Sequence, residues 1–261
     1  MRPLAVIGHV ARDVVDGGEP RIGGGPWYAG RALRTLGRPA RLAVKCGEAD
    51  RRAFLARLTP LGLPIMLVTG GESTAFTIDY HGDHRTMAVA GVGEPWRPDE
   101  ASVAVGRAEW VHAAPLLRSD FPPETLRELG RNRRVLLDGQ GLVRRPQTGP
   151  LTLDTDFDPE LLRPISILKL AQEEADVLPP LAELPVPEII VTLGSAGCVV
   201  RVRRREERVP ARPLEGVSDP TGAGDAFAAA YLAARSDGHA PASAAYRATA
   251  LVAGLLTGRT R

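Results

Sequence analysis

Apolar residues in this chain come in short runs separated by glycine, proline and charge. The first run, residues 4–8, ends in glycine and predicts a buried strand. Asp13 follows just beyond its end, and residues 14–21, with Gly17-Gly18 in the middle, predict a small hairpin. Gly23-Gly24-Gly25 then leads into a helix over about 28–36, which Gly37 closes. Residues 41–46 predict a second strand and 50–58 an amphipathic helix. Residues 63–68 and 73–80 are strand-like, the second with alternation at Thr74, Phe76 and Ile78. Gly82-Asp83-His84-Arg85 predicts a turn, from which 86–92 runs back as the partner strand.

From Trp110 onward strands and helices alternate regularly. Strands are expected at 110–113, 135–138, 165–169 and 188–193. Helices are expected at 122–130, capped by Ser119 or Asp120, and at 172–178. Gly194-Ser195-Ala196-Gly197 turns the chain into a further strand at 198–203, and the last helices cover 223–235 and 242–256. This alternation predicts an α/β fold with a mostly parallel sheet and helices on both faces. No linker rich in proline, serine or charge divides residues 1–261, so one domain is expected.

Composition narrows the class without naming a chemistry. Hydrophobic content of 44% and charged content of 25% suit a soluble globular protein, and 261 residues suffice for a substantial core. The net charge is only +2, and the densest basic run, 201–208, is interrupted by Glu206 and Glu207. A solvated strand pair or turn is expected there rather than a nucleic-acid surface. Cys46 and Cys198 lie far apart in apolar surroundings without metal-ligand spacing, so reduced core cysteines are expected. The opening run is too short and too soon broken by His9 and Asp13 for a signal peptide. No apolar run approaches the length of a membrane span, and a cytoplasmic protein is expected.

The stretch Asp219-Pro220-Thr221-Gly222-Ala223-Gly224-Asp225 changes the picture. Gly222 and Gly224 let the backbone turn tightly, and an alanine-rich helix begins at once. Free backbone N–H groups and the positive end of a helix dipole then meet at one point, a cradle for phosphate. Asp225 adds a carboxylate to the first turn of that helix, a candidate base. Taken alone, the same residues also fit a plain turn with an acid complementing the dipole. Thr192, Gly194 and Gly197 put a hydroxyl and bare backbone at a strand's C-terminal end, where open α/β sheets bind ligands. A simple strand-to-strand turn would also explain those glycines. No Walker loop, HExxH or GxSxG pattern is present.

The seven-residue string with its helix resembles the C-terminal signature of the PfkB (ribokinase-like) carbohydrate kinases. Gly23 and Gly24, before a helix ending Leu36-Gly37, resemble the same family's N-terminal signature. Tyr28 stands where many members carry a sugar-binding asparagine. Residues 169–174 resemble the Asn-x-x-Glu motif, with Glu174 on the glutamate and Ala171 replacing the asparagine. Asp138-Gly139-Gln140-Gly141 resembles an Asp-Pro-Gln-Gly segment found in some members.

The resemblance implies a ribokinase-like three-layer α/β/α sandwich with a small β-lid built from segments near 13–22 and 73–92. It implies an ATP-dependent kinase that transfers the γ-phosphate to a hydroxyl of a sugar, polyol or related small molecule. A nucleoside kinase of the same superfamily and a catalytically inactive binding homologue are the alternatives; Tyr28 and Trp27 would suit stacking on a nucleobase. In the implied roles Asp225 is the base, with Gly222, Ala223 and Gly224 offering backbone N–H groups to the phosphate. Thr192, Gly194, Gly197 and Thr221 would face the nucleotide, and Asp13, Gly23, Gly24, Tyr28 and Arg85 the acceptor. Glu174 would steer Mg²⁺ through water, and activation by a monovalent cation is left open. No nucleic-acid or membrane partner is expected, and pairing through the lid would make a homodimer.

Overall fold

The structure is a computed structural model and describes residues 2–81, 84–212 and 220–258. The first half runs β1 (Leu4–His9), β2 (Ala11–Val15), β3 (Arg21–Gly23), α1 (Gly25–Thr35), β4 (Arg41–Gly47), α2 (Arg51–Leu58) and β5 (Ile65–Gly70). It continues through β6 (Ala75–His81), β7 (His84–Gly91), α3 (Pro98–Val105), β8 (Trp110–Ala114) and α4 (Pro123–Gly130). Then come β9 (Arg134–Asp138), α5 (Gln140–Val143), β10 (Gly149–Pro150), β11 (Ile167–Ala171) and α6 (Gln172–Val177). The chain closes with β12 (Glu188–Thr192), β13 (Cys198–Val202), β14 (Arg205–Val209), α7 (Ala223–Ser236) and α8 (Pro241–Leu256).

β1 shows why so many strands look uniformly apolar. Leu4 and Val6 enter one core while Ala5 and Ile7 enter the other, so both faces of the strand are covered. Around it a nine-stranded sheet runs in the order β14-β13-β12-β11-β9-β8-β1-β4-β5. Pairing is parallel from β12 to β5 and antiparallel only at the β13 and β14 edge. Helices α1, α2, α7 and α8 fill one face with Leu33, Phe54, Phe227 and Tyr231, and α3 and α4 cover the other with Ala101, Leu126 and Leu129. This is a three-layer α/β/α sandwich.

A second sheet of five strands, β10-β7-β6-β2-β3, rises from the carboxyl ends of the first. Phe76, Ile78 and Val89 of this sheet pack on Leu116 and Leu117, which follow β8. The acid-bearing end of α7 is held by its other end. Glu188 at the start of β12 accepts the Tyr231 hydroxyl at 2.6 Å and Arg235 Nη2 at 2.8 Å. Arg38 beyond α1 donates to Ser236 and Asp237 at 2.8 and 2.7 Å.

Several expectations shift. Asp13 lies inside β2, paired with Phe76 and Arg21, because β2 starts almost as soon as β1 ends and crosses directly into the small sheet. The hairpin's strands are Ala11–Val15 and Arg21–Gly23, and Gly149–Pro150 adds an edge that the sequence pattern does not show. Helix α1 begins at Gly25, since Pro26 suits a first turn. Neither Ser119 nor Asp120 caps α4, whose entry is formed by Pro122 and Pro123. Asp120 is instead buried, accepting Leu116 N–H at 2.6 Å and facing His9 Nδ1 at 3.1 Å. Helix α3 has no counterpart in the sequence pattern. The basic run does form an antiparallel strand pair, and both cysteines are free and buried.

Candidate active site

Gly222 sits immediately before α7 with φ 79° and ψ 1°, a left-handed conformation that suits glycine. A Cβ there would also run into the ring of Tyr28. The turn is closed by Ala223 N–H donating to the Pro220 carbonyl at 3.0 Å, so that N–H is already engaged. Gly222 and Gly224 line a cavity of about 430 Å³ between the two sheets, and Asp225 faces the same space. Thr221 meets the Tyr80 hydroxyl at 3.0 Å, tying the small sheet to this loop. Asp219 lies outside the described residues.

Asp225 is the electrostatic centre of the cavity. Burial and the neighbouring carboxylates of Asp138 and Glu174 push its pKa up to about 7, against the pull of Lys169 and Arg144. Its Oδ1 has no hydrogen-bond partner among the described residues. A Cβ at Gly25 would come within 3.0 Å of that oxygen, so the glycine at the start of α1 leaves room for the acid.

Beneath the loop lies a group that pattern reading missed. Lys169 of β11 is buried, with Nζ 3.2 Å from both oxygens of Asp138 on neighbouring β9. Burial alone would lower its pKa, but Asp138, Glu174 and Asp225 outweigh that and raise it. A Cβ at Gly224 would approach Nζ to 2.8 Å, so the ammonium sits directly under the glycine loop. Arg144 and Gln140, after β9, also line the cavity. The available signal was a lysine inside the apolar strand Ile167–Ala171 and an acid ending another.

His112 on β8 is fully buried, and neither ring nitrogen is hydrogen-bonded among the described residues. Burial, then the charge of Lys169, lowers its pKa to about 3, so the ring is neutral. One donor atom each from His112, Asp138 and Asp225 lie within 4.8 Å of one another. The Lys169 ammonium beside Asp138 already supplies the positive charge that a cation would bring there.

Glu174 is buried in the first turn of α6. Its Oε2 accepts the Ala171 N–H at 2.9 Å, and Oε1 is 3.9 Å from Arg144. Asp13 is buried on the opposite wall, so close to Gly23 that any side chain there would collide with its carboxylate. Gly24 and Tyr28 complete that wall, while Trp27 lines a different cavity. The Arg85 side chain lies outside the described residues. Thr192 and Gly194 line the cavity, but the Thr192 hydroxyl donates to the Leu170 carbonyl at 3.1 Å. Thr192, Gly194 and Gly224 also border an adjoining apolar cavity of about 320 Å³, walled by Gly197, Phe227, Val252, Ala253 and Leu256.

The cavity thus joins a helix N-terminus, a half-buried acid and a buried ammonium at the carboxyl end of a parallel sheet, the place where such sheets bind ligands. Residues 15–260 match the model of the pfkB family of carbohydrate kinases. The chain belongs to that family. This kinase is a phosphotransferase with a hydroxyl group as acceptor. It is 27% identical over 266 residues to a ribokinase of Bacillus subtilis (strain 168), covering 91% of this chain and 87% of the relative. A pyrophosphate-dependent kinase of the ribokinase family, solved with a pyrophosphate analog and myo-inositol, superposes with a TM-score of 0.84 at 23% identity, covering 97% of this chain and 95% of that one. A Burkholderia thailandensis nucleoside kinase in complex with inosine gives 0.79 at 21% identity, covering 97% and 90%. At those identities the superpositions speak for the fold, which is the ribokinase-like sandwich expected from the sequence. Among the described residues no helix is long and apolar enough to cross a membrane.

Proposed function

We propose that this kinase phosphorylates a hydroxyl of a sugar, polyol or related small molecule, with Asp225 as its base. The observation that carries this reading is the half-buried Asp225 beside the α7 N-terminus, whose buried Oδ1 has no described partner. A pKa near 7 suits a group that must take a proton near neutral pH. The acceptor hydroxyl would approach from the wall of Asp13, Gly24 and Tyr28, lose its proton to Asp225 and attack the transferred phosphoryl group in line. The first turn of α7 at Gly222 to Gly224, with Lys169 beneath it, would stabilise charge on the equatorial oxygens.

ATP is the donor on this reading, and the apolar cavity beyond Gly194 and Gly197 supports it because a flat base needs such a wall. Mg²⁺ fits the oxygen-rich lining around Glu174, which would hold it through water, and the metal would supply charge neutralisation on the donor phosphates. The small sheet would close as a lid over the acceptor, excluding water that would otherwise take the phosphoryl group. We further place residues 1–261 in one kinase domain, acting in the cytoplasm and pairing through the exposed side of the lid.

A second donor reading is favoured by the superposition on a pyrophosphate-dependent kinase. A second acceptor reading, a nucleoside, is favoured by Tyr28 on the cavity wall. Phosphorus NMR of reactions pairing ATP or pyrophosphate with ribose, myo-inositol and inosine separates these. Transfer to one acceptor class from one donor is expected. A folded protein that binds these compounds and transfers nothing to any of them would sink the kinase mechanism in favour of an inactive binding homologue.

A further inference from the structure

On the far side of Tyr28 and Thr221 lies another cavity, of about 520 Å³, that the proposed chemistry does not use. Four arginines line it, Arg12 and Arg21 from the small sheet, Arg31 from α1 and Arg57 from α2, against the single carboxylate of Asp50. Among the described residues the side chains of Arg12 and Arg57 make no hydrogen bond or ion pair, Arg31 lies over the Trp27 ring at 5.7 Å, and all three residues are exposed. The exposed guanidiniums of Arg12, Arg31 and Arg57, gathered around one opening from three elements, make a local positive potential that favours an anion. Guanidinium forks match phosphate oxygens two at a time, which a lone lysine cannot do. Trp27 adds a partly exposed aromatic wall for the rest of a ligand.

We propose that this cavity is an effector site for a small molecule bearing a phosphate chain, separate from the phosphoryl-transfer cavity. Tyr28 and Thr221 belong to both walls, and the Tyr28 ring presses on Gly222, so filling one cavity bears on the loop of the other. The binding stands on the arginine geometry alone; the effect on turnover rests on the kinase reading above.

Intrinsic fluorescence reads occupancy, because Trp27 lines the cavity while Trp96 and Trp110 are buried. Inorganic tripolyphosphate, titrated into the whole chain at fixed ionic strength, should give a saturable change that weakens as salt is raised. The double variant Arg31→Gln/Arg57→Gln should bind roughly 100-fold more weakly, about tenfold for each charge-assisted contact removed. Equal affinity in that variant, or no saturable change in the wild type, would overturn the site. A nucleoside triphosphate and a sugar bisphosphate, run in parallel, distinguish the sources of the phosphate chain by which binds more tightly than tripolyphosphate. With a confirmed substrate pair and saturating donor, tripolyphosphate should shift KM for the acceptor in the wild type and leave the double variant, equally active without it, unmoved. An unshifted wild type would overturn the effector role, and this failure is separable from that of the kinase reading because the fluorescence titration needs no turnover.

Discussion

Replacing Asp225 with asparagine should make the protein more stable and nearly inactive. The folded pKa of about 7 stands well above the ordinary 3.8, with burial the largest cause and Asp138 next. A rise of about three units corresponds to roughly 4 kcal/mol at ~1.4 kcal/mol per unit. That figure is a ceiling, because a buried amide has its own unmet hydrogen bonds. Since the folded pKa is the higher one, protonation favours the folded state. Stability is therefore full below about pH 4, is lost as pH rises towards about 7, and is level above that. Asparagine behaves as the permanently protonated acid. Its advantage over the wild type should be near zero at about pH 4 and about 3 kcal/mol larger at about pH 8 than at about pH 5. Urea unfolding of both proteins at about pH 5 and about pH 8 measures this, and groups that do not interact with Asp225 cancel in the difference. Turnover should fall by about 10²–10⁴-fold, and wild-type kcat/KM should drop about tenfold per unit below about pH 7. A stability gain that is equal at both pH values, or a variant with near-normal turnover, would refute the assignment of a buried base.

Lys169→Met should strand the Asp138 carboxylate in the core, costing about 3–5 kcal/mol in denaturant melts. It should also move the acid limb of the activity profile to higher pH, since Lys169 is one of the two groups holding the Asp225 pKa down. An unmoved limb would show that the ammonium does not reach the base. Gly222→Ala should lose about 1–2 kcal/mol from its left-handed backbone, and more from the clash with Tyr28. In a Tyr28→Ala background only the clash part should disappear, and thermal unfolding of the four proteins reads both parts. Full recovery there would mean that the backbone conformation at Gly222 costs nothing.

How much was legible depended on how local each signal was. The loop before α7 could be read because its glycines, its helix and its acid are adjacent in the chain, and the helix N-terminus follows from them directly. Strands β1, β8, β9, β11 and β12 announced themselves as short apolar runs, because parallel strands covered on both faces carry few polar residues. The α/β class followed from those runs, and the family from the resemblance of the seven-residue string and its helix to a known signature. Lys169 and His112 carried no comparable signal, and Asp138 stood in a resembling segment with no role attached to it. Each looks like a stray polar residue in or at the end of a strand, and only the pairing of β11 with β9, and of β9 with β8, sets them side by side under α7. Glu174, by its spacing, could have been an exposed helix residue; the fold buries it and turns it back onto the Ala171 N–H. Local sequence determined where a glycine loop would meet a helix N-terminus and which acid would stand in that helix's first turn. The tertiary structure alone decided what that acid's pKa would be, because a buried charge answers to neighbours that the sheet order, and not the sequence order, brings within a few ångströms.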